Sequence, residues 1–585
     1  MGEVPQGLRA DRLVSAFGHR YHRRDRIDRR ELLLMGSYTL DDEFVSTTRR
    51  SFLGNAGTAL LGVAAAPSLL TRRAEYSLVI RDGKVFDGMG AAGRTLDVAI
   101  EGGRIAAIGA RLSGRGREEI DARGFTVAPG FVDIHSHGDS SLAEDPRGES
   151  VIRQGITTII AGADGGSRAT GAADKSFASL FTSLDQLHPG PNVASMVGLG
   201  SVRGTVVGDT DRKATADELR RMTEMVERAL ADGACGASSG LEYTPGAFAP
   251  LSELIALCKP LAARKLPYAT HMRNEDDRLL NAIDESLAVA RGARCALQIS
   301  HLKTQGPRNW TKLDDAFRRI EKARSGGLDV AFDRYPYVAY STGLTNLFPV
   351  WSRDGGTSAF FARLADAAVS PRIKRETLAK VELIGGWDNA QISSVRAAED
   401  RDAEGKRLGA YALARGADAY EVAIALLRRS NGDVGMLGHA MSEENLDRIL
   451  AHPLGMVCSD GGGFAVDGPT RRGSPHPRGA GSFPRVLARY VRERKVLTLP
   501  EAFRKMTSLP ASRVGLGHRG RLVTGAAADV VVFDSERVTD KATFDAPFQY
   551  PIGIEVVIVN GVVALRDGQR NATGSGRGLR AGSSH

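Results

Sequence analysis

Residues 131–137 read Phe-Val-Asp-Ile-His-Ser-His and follow directly on the turn signal Ala128-Pro129-Gly130. A strand alternates its side chains from face to face, so His135 and His137, two apart, project to one side. Two imidazoles on one face at the end of an apolar strand are a ready pair of metal ligands. Isolated His-x-His pairs also occur by chance on surfaces. Here a strand leads in, a tight turn precedes it, and further solitary histidines follow at strand ends. The pattern points to a fold that gathers strand ends around one centre.

The rest of the chain has that rhythm. Candidate strands are Thr157–Ala161, Ser195–Leu199, Gly236–Ser238, Tyr268–Thr270, Leu297–Ile299, Asp329–Phe332, Met436–Gly438 and Met456–Cys458. Helical stretches such as Thr215–Ala231 and Asp276–Ala290 lie between several of them, the first opening with Thr215 three residues before Glu218, a capping-box signal. Apolar strands alternating with helices predict an α/β protein built on a β/α barrel, for which 585 residues leave ample room. Short alternating strands at Tyr76–Ile80, Val98–Ile100 and Ile105–Ile108 recur in texture at Asp529–Asp534 and Val556–Val559. They predict one small sheet domain drawn from both ends of the chain. The expected organisation is an N-terminal extension over 1–74, sheet domain over 75–128 and 513–568, and barrel over 129–512. A charged insertion at about 345–415 and a disordered Gly/Ser/Arg tail over 569–585 complete it.

Charge excludes one class of partner. Residues 1–74 carry a net +4 and residues 565–585 a net +3, which leaves +2 of the total +9 for everything between. A polyanion-binding footprint would be concentrated on the folded body, so no nucleic acid is expected. No uninterrupted apolar stretch reaches spanning length, so no stable membrane span is expected either. Cys235, Cys258, Cys295 and Cys458 have no paired spacing and read as small buried residues. Arg49-Arg50 ahead of Phe52-Leu53 and a Gly/Ala/Leu run resembles a twin-arginine signal, implying the twin-arginine export machinery and a bacterial periplasmic or secreted protein. Met35 is a candidate true start, because residues 1–34 lie far upstream of such a signal.

Chemistry collects where a barrel places it, at the C-terminal ends of strands. After His135 and His137 come Asp164, His271, His301 and Asp460, each just beyond an apolar run. Zinc takes His and carboxylate ligands, and a catalytic site leaves a position open for water. Bound metal lowers the pKa of that water, and a nearby carboxylate can take its proton. One such histidine alone is more often structural. Four, with two aspartates, are hard to explain as packing.

Longer stretches carry a family resemblance. They are PGFVDIHSHGD (129–139), GASSGLEYTPGAF (236–248), THMRNEDDRLLNAIDE (270–285), QISHLK (298–303), DRYPYVAYSTGL (333–344), SDG (459–461), HPRGAGSFPRVLARYVRE (476–493) and KMTSLPASRVGL (505–516). Over roughly 76–568 the chain resembles the amidohydrolase superfamily and, within it, the N-acyl-D-amino-acid deacylase branch. The resemblance implies a (β/α)8 barrel flanked by a small β-sandwich, with one or two Zn2+ ions at His135, His137, His271 and His301 and with Asp460 as general base. It further implies that Lys303, Tyr337 and Arg478 hold the carboxylate of an N-acyl amino acid, with Arg273 and Glu275 as supports behind the ligands.

Two departures stand out. Gly162-Ala163-Asp164-Gly165 lies where the branch carries a Gly-Asn-Cys-Gly turn with a metal-binding thiolate. A carboxylate can ligate and bridge there, and as a harder donor it also suits Mn, Co or Fe. Gly198-Leu199-Gly200 replaces Gly-His-Gly, removing a polar group from the expected pocket. The expected reaction is hydrolysis of an N-acyl-D-amino acid. A D-residue dipeptide, a cyclic amide or a carbamoyl compound is the alternative substrate, and a non-catalytic binding protein the remote one.

Overall fold

The computed structural model describes residues 75–170, 175–571 and 574–582. The twin-arginine segment expected at Arg49-Arg50 lies outside them.

Eight parallel staves form the barrel: Phe131–Asp133, Ile156–Ala161, Asn192–Ser195 continuing as Val197–Gly198, Ala237–Gly240, Pro267–His271, Ala296–Ile299, Val330–Arg334 and Gly455–Val457. Neighbours pair in parallel from the first stave to the third and from Val197–Gly198 to the last. Main-chain bonds beyond the last stave close the ring: the Asp460 N–H donates to His135 O at 2.8 Å and the His137 N–H to Gly461 O at 3.0 Å. Every residue of Ile156-Thr-Thr-Ile-Ile-Ala161 is buried. Such a run, apolar or β-branched throughout, suits a strand covered on both faces. Helix Ala216–Ala231 starts where the sequence predicts, with the Thr215 hydroxyl accepting from the Glu218 N–H and the Glu218 carboxylate from the Thr215 N–H. Its buried residues Met222, Val226, Ala229 and Leu230 recur at helical spacing.

The sheet domain comes from both chain ends. Val530–Phe533 pairs antiparallel with Thr126–Pro129, Val532 facing Val127, and so joins N-terminal and C-terminal strands into one nine-stranded sheet. Leu78, Ile80, Val98, Ile100, Val530, Val532 and Ile558 share its apolar core. The four cysteines are free and buried, as expected. No helix among the described residues is long and apolar enough to cross a membrane.

The structure corrects three expectations. Met436–Gly438 is not a barrel stave. It belongs to Val434–Gly438, which pairs antiparallel with Tyr340–Gly343 and Ala390–Val395 in a separate three-stranded sheet. A short apolar run reads the same in a barrel and in a small antiparallel sheet, because partner and direction are tertiary facts. For the same reason the insertion is larger than 345–415: its sheet runs from Tyr340 to Gly438. Lastly, the described part of the C-terminal tail is packed. Arg577 O accepts from the Val193 N–H, the Leu579 N–H donates to Val193 O, and the Ala581 N–H donates to Gly233 O. Leu579 is buried, and the space beside Gly574, Gly576 and Gly578 is filled by residues of 181–191. Glycine here serves close main-chain approach, which composition alone reads as looseness.

Candidate metal centre

Each candidate ligand sits just past a stave or on its last residue, and three of those turns are bent. Asp164 (φ 52°), His301 (φ 35°) and Asp460 (φ 49°) adopt left-handed backbone. Non-glycine residues pay for that conformation, so it persists where the surroundings demand a particular side-chain direction. Here the direction is inward. His135 Nε2 lies 3.3 Å from Asp164 Oδ2 and 3.4 Å from Asp460 Oδ1, and His137 Nε2 lies 3.4 and 3.2 Å from the same two oxygens. On the other side, His301 Nε2 is 3.6 Å from Asp164 Oδ1 and 2.9 Å from His271 Nδ1. Two clusters result, His135–His137–Asp164–Asp460 and Asp164–His271–His301, with Asp164 common to both.

Electrostatics match that grouping. Burial works against charge on His135, yet Asp164 and Asp460 outweigh it and hold the imidazole well above its ordinary pKa. Burial likewise opposes ionisation of Asp164 and Asp460, but His135 and His301 draw the first far down, and Arg478 with His135 the second. Both carboxylates are therefore favoured in their ionised form. The Arg478 guanidinium donates to Asp460 Oδ2 at 2.6 Å, with both groups buried. Asp164 Oδ1 is buried with no hydrogen-bond partner among the described residues. A bare, ionised oxygen aimed among imidazole nitrogens is a costly arrangement without a cation, and imidazole with carboxylate is the donor set that zinc accepts. The residues fit a metal.

Similarity to known proteins agrees with the fold and the donor set. The model of the amidohydrolase family matches residues 118–345 and 463–565. The chain is 38% identical to an N-acyl-D-glutamate deacylase of Alcaligenes xylosoxydans xylosoxydans over 503 residues, covering 83% of this chain and 93% of that one. It superposes with TM-score 0.74 and 35% identity on the N-acyl-D-glutamate deacylase of Bordetella bronchiseptica, a structure complexed with zinc and a phosphonate inhibitor, covering 86% of this chain and all of that one. A D-aminoacylase structure described by its binuclear metal centre superposes with TM-score 0.73 and 33% identity over the same shares. The chain belongs to the amidohydrolase family.

In this amidohydrolase the three residues expected to hold a carboxylate are not gathered as a trio. Arg478 stands on Asp460 at the centre. Lys303 is buried, its Nζ 2.6 Å from both Glu275 Oε1 and His301 Nδ1, behind the ligands. Tyr337 faces elsewhere: its hydroxyl is 3.5 Å from Asp540 Oδ2 and its ring packs on His476 and Arg485. Tyr335, two residues earlier, takes the place near the centre. The Arg478 guanidinium lies 4.7 Å from its ring centre, the His301 ring 6.4 Å, and its buried hydroxyl has no partner among the described residues. With aromatic residues at both 335 and 337, the motif alone could not separate the two. Strand alternation is no guide here, because Pro336 interrupts the extended run.

Glu275 touches His301 Nδ1 at 3.1 Å and receives a bond from Gln305 at 2.8 Å, as a support behind a ligand should. Arg273 instead forks onto Glu285 and donates to the carbonyls of Ala247 and Ala249, bracing a loop. Sequence reasoning missed Asp333. Its Oδ1 lies 3.3 Å from His135 Nδ1 and accepts from the His301 N–H at 2.8 Å, so one carboxylate orients two ligand histidines. The available signal was its place at the end of a stave, the same signal that marked Asp164 and Asp460. Leu199 is buried in the main hydrophobic core and opens helix Leu199–Val206.

Proposed function

We propose that this amidohydrolase cleaves N-acyl-D-amino acids to a carboxylate and a free D-amino acid. The observation that carries the reading is the convergence of four histidines on two ionised aspartates beside a buried arginine, in a chain whose most similar relatives include deacylases of N-acyl-D-amino acids. One ion would be held by His135, His137, Asp164 and Asp460, and a second by Asp164, His271 and His301. Zinc suits these donors, and Mn, Co or Fe are compatible with carboxylate at Asp164. Bound there, the metal supplies Lewis-acid polarisation of the scissile carbonyl and lowers the pKa of water.

The remaining work falls to the chain. Asp460 accepts a proton from the attacking water as its oxygen bonds to the carbonyl carbon, and returns that proton to the amide nitrogen as the C–N bond breaks. The products are then a carboxylate and an amine. Arg478 receives the substrate carboxylate, and the unpartnered Tyr335 hydroxyl is placed to donate a further hydrogen bond to it. Asp333 and Glu275, with Lys303 behind it, hold His135 and His301 in orientation. The deciding experiment measures primary-amine release from paired N-acyl-D and N-acyl-L amino acids by metal-reconstituted protein. Release from the D-series alone is expected. Release from neither series, or equally from both, would defeat the reading.

Arg478→Lys is expected to behave as a damaging change. Lysine cannot bond Asp460 and a second carboxylate through one planar fork. We expect kcat/KM for N-acyl-D-amino acids to fall about 10–100-fold, the worth of one charged hydrogen bond of about 1.5–3 kcal/mol. Their amides should lose much less. Equal losses on acids and amides would make Arg478 a support for Asp460 only.

We further propose export by the twin-arginine route to the periplasm or beyond, on the strength of Arg49-Arg50 and the weakly apolar run that follows. That route carries folded proteins, which suits an enzyme loaded with metal before export. Changing both arginines to lysine should retain the protein in the cytoplasm. Undiminished periplasmic accumulation of the double variant would exclude the route.

A further inference from the structure

We propose that Glu242 is a positioning residue for His271, and that through it the insertion's seating controls the second metal position. This rests on the metal reading given above. Glu242 is buried in the turn after stave Ala237–Gly240, and its Oε2 lies 3.4 Å from His271 Nε2. The other nitrogen of His271, Nδ1, faces His301 Nε2 at 2.9 Å, on the side where Asp164 lies. An imidazole ligates through the nitrogen without a proton, and the hydrogen bond at the far nitrogen decides which one that is. A carboxylate at Nε2 fixes the proton there and leaves the Nδ1 lone pair for the ion. The Tyr243 hydroxyl, 3.4 Å from Nδ1, can donate to that lone pair only when no ion is bound there, a contact the ion would replace.

What holds Glu242 comes from the insertion. Asn346 Nδ2 donates to its Oε2 at 3.2 Å, and an Arg353 guanidinium nitrogen donates to its main-chain oxygen at 3.1 Å. Arg353 is itself buried and leaves Nε without a partner among the described residues. The side-chain bond it does make there is to residue 242, an expensive way to place a cation unless the contact matters. Lys380, on insertion helix Ser370–Ile384, adds a positive charge that acts on Glu242 and pairs with Asp276 at 2.5 Å. Glu242, His271 and Glu275 could be mistaken for a third metal cluster. The charge of Lys380 near Glu242 and the ammonium of Lys303 on Glu275, 2.6 Å away, already supply cations there. The local arrangement is a clamp on Glu242 by Asn346, Arg353 and Lys380 of the insertion, and Glu242 in turn meets the ligand His271 of the barrel.

The test uses the full chain with Zn2+ and Co2+ alone as probes, reading ion stoichiometry, competition affinity, the visible Co2+ spectrum and the Tm of metal-free protein. In Glu242→Ala the second ion should bind about 10–100-fold more weakly, the usual cost of losing such a partner, while the first is little changed. Glu242→Gln, which can still accept at Nε2, should recover most of that loss. Asn346→Ala should shift the second ion in the same direction by less. The proposal is overturned if Glu242→Ala keeps second-ion affinity, or if it loses both ions equally with a lowered metal-free Tm. Should Glu242→Ala fail to fold, unchanged second-ion affinity in Asn346→Ala overturns it instead. Wild-type protein that takes up no second ion defeats the metal reading and this proposal together, whereas two ions in wild type with unaltered variants defeat this proposal alone.

Discussion

Asp460→Asn should leave a folded, metal-binding protein whose kcat is lower by about 10²–10⁴. Asparagine matches the shape of aspartate and can still place an oxygen near His135 and His137, which lie 3.4 and 3.2 Å from the native Oδ1. With His135, His137 and Asp164 untouched, the first ion should stay bound. What asparagine cannot do is take a proton from water and hand it to a departing amine. The native carboxylate is held ionised: burial opposes its charge, but Arg478 and His135 pull its pKa far below the usual range. Ionised, it has a lone pair free to accept a proton. The variant must be measured for kcat, bound metal and far-UV circular dichroism together. Normal turnover by a folded, metal-loaded variant would move the base elsewhere and break the proposed chemistry. Loss of metal in step with activity would make Asp460 chiefly a ligand.

Asp164→Ala should be the most damaging single change to metal content, because this side chain alone reaches both clusters. Its Oδ2 serves His135 and His137 at 3.3 and 3.4 Å, and its Oδ1 lies toward His301 at 3.6 Å. Removing it takes an anion from three imidazoles at once. Affinity at both positions should fall by more than the roughly 10–100-fold typical of residues that only support a ligand. His137→Ala, by contrast, should weaken one position only. Cysteine at 164 is the informative rescue, because a thiolate can bridge as a carboxylate does. Metal analysis of the two substitutions, side by side, separates bridging from turn formation. If Asp164→Ala retains full stoichiometry and activity, Asp164 merely shapes its left-handed turn.

Some of this molecule was written locally. The stave Ile156–Ala161 is apolar or β-branched without interruption, and burial on both faces follows from that alone. The six residues that converge are each marked by a strand end, so a parallel barrel brings them together without further instruction. The capping box at Thr215 and Glu218 spans four residues and is complete within them.

Where sequence reading failed, the deciding contacts lay far away in the chain. The resemblance picks Tyr337, but Arg478, over 140 positions after Tyr335, stacks on Tyr335 instead, and Asp540 approaches the Tyr337 hydroxyl. Val434–Gly438 has the texture of a stave, and only antiparallel partners at Tyr340–Gly343 and Ala390–Val395 assign it to the insertion. The tail looked unstructured because glycine is read as freedom, yet Gly574, Gly576 and Gly578 are needed where main chains meet closely. Glu242 acquires its contacts from Asn346 and Arg353, about a hundred residues distant. The sequence by itself determined the barrel, the two-ended sheet and which side chains meet at the strand ends, since periodicity and turn chemistry act over a few residues. Tertiary structure alone decided which tyrosine faces the centre, where the insertion grips it, and that the tail is part of the fold. Those choices depend on contacts between distant segments, and no local pattern encodes which distant segment will arrive.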